Sequence, residues 1–251
     1  MNTVLITGCS SGFGLDIAKH FLDRGWKVVA TMRTPDEGVL PASPNLRILP
    51  LDVRSDESVR QAVEAAGLID VLVNNAGIGW LNALEGTSAD VVRDIFETNT
   101  IGIMRVMQAV LPQFRERRSG TIVNVSSSVT LKPLPLLSVY TASKAAVNAF
   151  TESVAIELEP FGIAARIVLP GQAPETSFSK TALARIQGAG GFPEAYADFA
   201  QATVARMRQA VGPLTQSSDV VEAVWRAATD PNCPMRLPAG ADAVALVGAD
   251  G

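Results

Sequence analysis

Short apolar runs rich in β-branched residues alternate with longer amphipathic stretches along most of the chain. Residues 3–7 read as a first strand. Residues 13–24 follow as a helix, with Leu15, Ala18, Phe21 and Leu22 at helical spacing and Gly25 as its C-terminal stop. The same alternation predicts strands over 27–32, 46–51, 69–73, 121–125 and 163–169, and a short last strand over 243–247. It predicts helices over 56–66, 89–117, 139–159 and 217–229, the last opened by capping residues. Pro112 should bend or interrupt the 89–117 stretch, because proline donates no hydrogen bond and crowds the preceding turn.

This β-α-β order argues for the α/β class, with a parallel sheet covered by helices on both faces. Such sheets bind ligands beyond the carboxyl ends of their strands. The alternation fails between Gly171 and Pro213, in a partly helical stretch broken by Gly188, Gly190, Gly191 and Pro193. Long inserted segments of this kind serve as lids or binding loops. No internal repeat or linker divides the 251 residues. One domain is expected over 1–251, with a substrate-binding insertion around 172–213.

Composition narrows the function classes. At 47 % hydrophobic residues the chain has material for a sizeable core, which excludes disorder. No apolar run is long and uncharged enough to span a bilayer, so no membrane partner is expected. The start runs directly into strand pattern, so no signal peptide is expected either. The net charge of −4 is spread without long blocks. The one basic run, Arg115-Glu116-Arg117-Arg118, suits a helix end rather than a nucleic-acid footprint. Cys9 and Cys233 form neither a disulfide framework nor a metal spacing, and a reducing, cytoplasmic setting is expected. The single histidine, His20, cannot build a usual zinc site and has no nucleophile-elbow serine to serve.

The candidate chemistry begins after the first strand, at Thr7-Gly8-Cys9-Ser10-Ser11-Gly12-Phe13-Gly14. Glycines between a strand and a helix allow a tight turn and let backbone amides approach a pyrophosphate. The helix N-terminus beyond them adds free N–H groups and partial positive charge. Cofactor choice lies after the second strand, where an acidic residue would hold the ribose hydroxyls of NAD. This chain has Ala30-Thr31-Met32-Arg33-Thr34 there. Arg33 can grip a 2′-phosphate by charge and forked hydrogen bonds, which favours NADP(H) over NAD(H). Asp36 and Glu37 are near enough in sequence to keep NAD(H) open. Asp52 and Val53 are placed to contact adenine. Asn74-Asn75-Ala76-Gly77 ends the fourth strand with groups small enough to pack against a cofactor, or to make a capped turn.

Tyr140-Thr141-Ala142-Ser143-Lys144 opens the second long helix. Residues four apart share a helix face. A free tyrosine, with a pKa of about 10, is a poor acid–base group at neutral pH. A neighbouring ammonium favours the phenolate, so Lys144 is expected to lower the pKa of Tyr140 and fit it to move a proton. Ser126-Ser127-Ser128 follows the fifth strand, where a hydroxyl could hydrogen-bond a carbonyl oxygen as its charge develops.

Together these residues resemble the short-chain dehydrogenase/reductase family, from Thr3 to about Thr176 and more weakly beyond. The resemblance rests on Thr7 to Gly14, Asn74-Asn75-Ala76-Gly77, Asn99 in Thr98-Asn99-Thr100, Ser127, Tyr140 with Lys144, and Pro170-Gly171. It implies a Rossmann-type doubly wound sheet of about seven strands in the order 3-2-1-4-5-6-7. Ser127 lies thirteen residues before Tyr140, the family's usual interval, which makes it the implied catalytic hydroxyl. Tyr140 is then the acid for carbonyl reduction and the base for alcohol oxidation. Lys144 would also hold the nicotinamide ribose, and Asn99 would break its helix locally and support a proton-relay water. Gly8, Ser10, Ser11, Gly12, Phe13, Gly14, Asn75, Ala76 and Gly77 would line the cofactor. Pro170, Gly171, Ala173 and Thr176 would contact its nicotinamide end. The resemblance also implies a homodimer or homotetramer formed through the two long helices. Three departures stand out. Thr130 replaces the usual glycine three residues after Ser127, the Pro170–Thr176 segment is stretched, and the last strand is expected to end almost at the C-terminus.

Apolar residues after the fourth and fifth strands and after Gly171 are the pocket candidates: Ile78, Gly79, Trp80, Leu81, Leu131, Leu134, Leu136, Leu137, Phe178 and Phe192. They suggest an apolar ketone, aldehyde or secondary alcohol as the small-molecule partner. The expected activity is an NADP(H)-dependent carbonyl reductase or alcohol dehydrogenase, similar to hydroxysteroid and carbonyl reductases. The alternatives are an NAD-dependent dehydrogenase, a non-catalytic cofactor sensor, and an epimerase or dehydratase on the same scaffold.

Overall fold

In the computed structural model, strand side chains divide the core into two layers. The structure describes residues 1–173, 176–209 and 212–248, with backbone only for 177–180, 208 and 248. Seven parallel strands run β1 (Thr3–Thr7), β2 (Lys27–Met32), β3 (Leu46–Pro50), β4 (Val71–Asn74), β5 (Gly120–Val125), β6 (Ile163–Pro170) and β7 (Arg236–Ala239). Their order is β3-β2-β1-β4-β5-β6-β7. Successive residues on a strand face opposite ways. Val4 and Ile6 of β1 therefore enter one layer with Ile17 and Phe21 of α1 (Gly12–Asp23) and Val220 and Val224 of α8 (Ser217–Thr229). Leu5 enters the other with Val59 of α2 (Asp56–Ala66), Val106 and Phe114 of α4 (Gly102–Arg117), and Val147 of α5 (Ser138–Leu158). Both faces are covered, so the central strands read as unbroken apolar runs.

The strand order reverses between β1 and β4, which are hydrogen-bonded neighbours from Val4↔Val71 to Ile6↔Val73. A doubly wound sheet opens a crevice at such a switch point, beyond the carboxyl ends of the strands. The loops carrying Gly8, Asn75, Ser127 and Gly171 all leave from that edge.

Two sequence expectations are corrected. The 89–117 stretch is interrupted, but not at Pro112, which lies inside α4. The break falls at a π turn, Glu97–Ile101, between α3 (Ala89–Phe96) and α4, and it contains Asn99, where the resemblance implied a local break. Residues 243–247 belong to α9 (Ala241–Gly248) rather than to a strand. The seventh strand is earlier, pairing from Ile167↔Arg236 to Pro170↔Ala239. A short apolar run fits a strand or a buried helix equally well, which is why periodicity misplaced it. Pro238 is tolerated in β7 because that strand pairs only with β6, leaving its other side as an edge. The insertion after β6 contains α6 (Ser177–Gly188) and α7 (Ala197–Arg208).

Candidate active site

The glycine loop is shaped by close approach. Gly8 has φ +76°, and a Cβ there would sit 2.8 Å from Ala76 Cα. A Cβ on Gly14 would overlap the Gly8 carbonyl oxygen and lie 2.5 Å from Asn75 Nδ2. Asn75 Nδ2 donates to the carbonyls of Thr7 and Gly8 at 3.0 and 3.1 Å. Thr7 Oγ1 accepts from the N–H groups of Asn75 and Ala76, each at 3.0 Å. The amide of Asn75 is thus committed to bolting β4 to the loop. Cys9 is fully buried beneath, its N–H on Thr31 O at 2.9 Å, and burial pushes its thiol up to about 12. Phe13 is partly buried, packed against the first core layer. Ser10 and Ser11 are exposed. The combination is a cradle of backbone amides at a helix N-terminus with no room for side chains at positions 8 and 14, and it fits a pyrophosphate.

Arg33 is exposed at the end of β2 and makes no ion pair among the described residues. Asp36 and Glu37 are also exposed, and Asp36 Oδ1 accepts from Gly38 N at 2.9 Å within its own turn. Asp52 Oδ1 accepts from Arg54 N at 3.0 Å, while Val53 is buried against Gly102.

Asn99 sits fully buried in the π turn. Its Oδ1 accepts from Ile78 N at 2.8 Å, and its Nδ2 donates to Ile78 O at 2.9 Å and Ser143 Oγ at 3.2 Å. The turn therefore pins the loop after β4 to α5. Gly77 lies at the meeting point: a Cβ there would be 3.3 Å from Asn99 Oδ1 and 3.5 Å from Lys144 Nζ. π turns of this kind recur at functional sites.

The Tyr140 hydroxyl is hydrogen-bonded to Ser127, and Lys144 Nζ donates to Val125 O at 2.9 Å. Burial dominates both groups. It pushes the Tyr140 phenol up to about 12, against a smaller opposite effect of the Ser127 hydrogen bond. It pushes the Lys144 ammonium down to about 8. This corrects the expectation that Lys144 lowers Tyr140. Each charged form loses water on burial, and that loss sets the net direction of both shifts. Of the three serines, Ser126 is occupied, its hydroxyl on Lys144 O at 3.2 Å. Ser127 Oγ accepts from Val129 N at a long 3.3 Å and meets Tyr140, as its spacing implied.

Several supporting contacts escaped the sequence reading. Thr130 Oγ1 donates to Ser127 O at 2.8 Å and accepts from Asn148 Nδ2 at 3.0 Å. Its hydroxyl ties the serine loop to α5, where a glycine could not. The available signal was that Asn148 continues the four-residue spacing of Tyr140 and Lys144 along one face. Asn74 Nδ2 donates to Asn124 Oδ1 at 2.9 Å, and Asn124 Nδ2 to Thr151 Oγ1 at 2.8 Å. That buried chain ties β4, β5 and α5 together.

At the far end, Thr176 Oγ1 donates to Ala173 O at 2.9 Å, and its Cβ lies 3.8 Å from the place a Gly12 Cβ would take. The insertion thereby reaches back to the glycine loop. Pro174 and Glu175 lie outside the described residues.

A family model for short chain dehydrogenases matches residues 2–186. The chain belongs to the short-chain dehydrogenase family. It is 39 % identical over 249 residues to human retinol dehydrogenase 8, a match covering 93 % of this chain and 80 % of that protein. It is also similar to a solved short-chain dehydrogenase from Streptomyces avermitilis, at 34 % identity and a TM-score of 0.84, covering 100 % and 93 % of the two chains. A short chain dehydrogenase from Burkholderia cenocepacia, solved in complex with NADP, is 26 % identical with a TM-score of 0.79 over 99 % and 92 %. Among the described residues of this short-chain dehydrogenase, no cluster of His, Cys, Asp and Glu could hold a metal ion, and no helix is long and apolar enough to cross a membrane.

The pocket candidates divide in two. Trp80 is 2 % exposed with its indole N–H on Thr87 Oγ1 at 2.9 Å, and Leu136 is buried with Ala83 and Ala200. Both are core residues rather than an open surface. Gly79 is buried beside Trp80, whereas Ile78, Leu81 and Phe192 are partly buried around the cluster of Trp80, Ile95, Val139 and Ile186. Leu131 and Leu137 are half-buried, and Leu134 is exposed. The Phe178 side chain lies outside the described residues.

Proposed function

We propose that this short-chain dehydrogenase interconverts an apolar ketone or aldehyde and the corresponding alcohol with NADP(H). The bound dinucleotide would supply the hydride to the carbonyl carbon, or accept it in reverse. Tyr140 gives the proton to the carbonyl oxygen, and Ser127 hydrogen-bonds the same oxygen as it gains charge. The observation that carries this reading is the Tyr140–Ser127 hydrogen bond inside a buried site, with Lys144 one helical turn away. With its phenol up near 12, Tyr140 is protonated at neutral pH, which suits the acid needed for reduction. Alcohol oxidation needs the phenolate and should speed up as pH rises.

Arg33 supports the choice of NADP(H): it is exposed, free of ion pairs among the described residues, and placed at the end of β2. Asp36 is engaged in its own turn, which weakens the case for NAD(H). The partly buried Ile78, Leu81 and Phe192 support an apolar substrate, as does the likeness to an enzyme named for retinol, an alcohol on a hydrocarbon chain. The chain is read as one catalytic domain whose α6 and α7 segment covers substrate. A homodimer or homotetramer through α4 and α5 is part of the proposal, with Ile156 of α5 72 % exposed.

The test is a panel of ketones, aldehydes and alcohols with NADPH and NADH, followed by nicotinamide absorbance. Turnover with NADPH is expected. Product formed without net absorbance change would replace this reading with an epimerase or dehydratase, and cofactor binding with no product would leave a sensor. Arg33→Ala should weaken NADPH by about 10- to 100-fold, the worth of a charged hydrogen bond, and leave NADH nearly unchanged. Equal loss of both would place recognition of the 2′-phosphate elsewhere.

A further inference from the structure

Asp242, in the first turn of α9, spends both carboxylate oxygens on other segments. Oδ2 accepts from the backbone N–H of Gln172 at 2.7 Å, and Oδ1 lies 2.5 Å from the Thr215 hydroxyl, whose one proton it shares with Ala239 O at 3.0 Å. Thr215 is 2 % exposed, and its N–H donates to Gln172 O at 3.1 Å. The Gly171 N–H donates to Ala239 O at 3.1 Å. Gly171 and Gln172 are thus gripped from β7, from Thr215 and from α9 at once. The knot has no slack. A Cβ on Gly171 would overlap Asp242 Oδ1 and Thr215 Oγ1, and a Cβ on Gly240 would overlap Thr215 Oγ1. Close-packed polar groups of this kind hold one geometry and resist displacement.

The position of the knot gives it a consequence. Gly171 and Gln172 are the first residues beyond β6, at the carboxyl edge of the sheet, before the chain departs toward α6. Thr215 also borders a cavity shared with Ser11, Gly12, Ala173 and Thr176, so one side of the knot faces the glycine loop. A carboxylate from the C-terminal helix therefore sets where the backbone after β6 lies relative to that loop.

We propose that Asp242 is a positioning residue for the cofactor. It fixes Gly171 and Gln172, and through them the wall against which the nicotinamide end of the dinucleotide rests. The proposal rests on the dinucleotide reading of the site. It predicts a selective defect: the nicotinamide end should suffer and the adenine end should not, because Arg33 and Asp52 lie across the sheet from the knot.

Fluorescence titration separates the two ends. Wild type, Asp242→Ala, Asp242→Asn and Thr215→Val are titrated with whichever of NADPH or NADH the wild type binds more tightly. They are also titrated with the matching fragment that lacks nicotinamide, adenosine 2′,5′-bisphosphate or ADP. Asp242→Ala should weaken the dinucleotide about tenfold or more, the worth of one charged hydrogen bond, and leave the fragment unchanged. Asp242→Asn keeps an oxygen for the Gln172 N–H and should recover most of the affinity. Thr215→Val keeps shape while removing the hydroxyl shared by Asp242 Oδ1 and Ala239 O, and should show a smaller selective loss even if Asp242→Ala does not fold. Equal weakening of dinucleotide and fragment, or no weakening, overturns the role of Asp242 and leaves the cofactor reading standing. A folded wild type that binds neither dinucleotide overturns both.

Discussion

Lys144→Met should stabilise the protein at neutral pH and lose that advantage in alkali. Burial moves the Lys144 ammonium from 10.5 to about 8. At about 1.4 kcal/mol per pH unit, keeping a charged lysine there costs the folded state about 3 kcal/mol. The sign follows from proton counting. Between about 8 and 10.5 the unfolded chain binds more protons than the folded one, so wild-type stability rises with pH. The cost is full below the folded value and vanishes above the unfolded one. Methionine carries no charge, but it leaves Val125 O without the Nζ donor it has at 2.9 Å. That loss is worth about 1 kcal/mol, so the net gain near pH 7 is about 2 kcal/mol. Near pH 10 the remaining burial cost is about 1 kcal/mol, which the lost hydrogen bond cancels. Tyr140 is common to both proteins and drops out of the difference. Urea denaturation of both at pH 7 and pH 10 measures it. A Lys144→Met protein less stable than wild type at pH 7, or a gain that does not shrink by pH 10, would refute the reasoning.

Other residues give independent tests. Gly14→Ala drives a methyl group onto the Gly8 carbonyl and to 2.5 Å from Asn75 Nδ2. It should cost about 1–3 kcal/mol in urea denaturation and sharply weaken dinucleotide binding, and a neutral result would show that the loop gives way. Cys9 and Cys233 are both free and buried, and burial raises both thiols. Neither should react quickly with a thiol reagent in the folded protein at pH 8, while unfolding should release both. Rapid labelling of either would contradict their packing.

How much the sequence told depended on how local each feature is. The glycines at 8, 12 and 14, and the four-residue step from Tyr140 to Lys144, lie within single elements, so their spacing was readable directly. The parallel sheet followed from the β-α-β alternation, and the strand order from the family likeness. The apolar run at 243–247 was misread because only its neighbours decide between strand and helix: Gly240 at φ +99° ends β7, and Asp242 opens α9. Local chemistry put the helix break at Pro112, which was wrong, whereas the family resemblance put a local break at Asn99, which is where it lies and where the side chain bonds a loop 21 residues away. The balance between Tyr140 and Lys144 was inverted for the same reason. Charge pairing can be inferred from spacing, but burial belongs to the assembled fold. The bonds of Thr7, Thr130 and Asn148 were not readable, because each reaches a segment distant in sequence.

The central claim is that Tyr140 moves the proton. Tyr140→Phe removes the hydroxyl and keeps the ring that fills its place in α5. Ketone reduction is measured by nicotinamide absorbance, with dinucleotide affinity measured beside it by fluorescence titration. Turnover should fall by about 10²- to 10⁴-fold, the usual contribution of a positioned acid, with affinity for the dinucleotide nearly unchanged. Turnover close to wild type in a variant that still binds the dinucleotide would contradict the account.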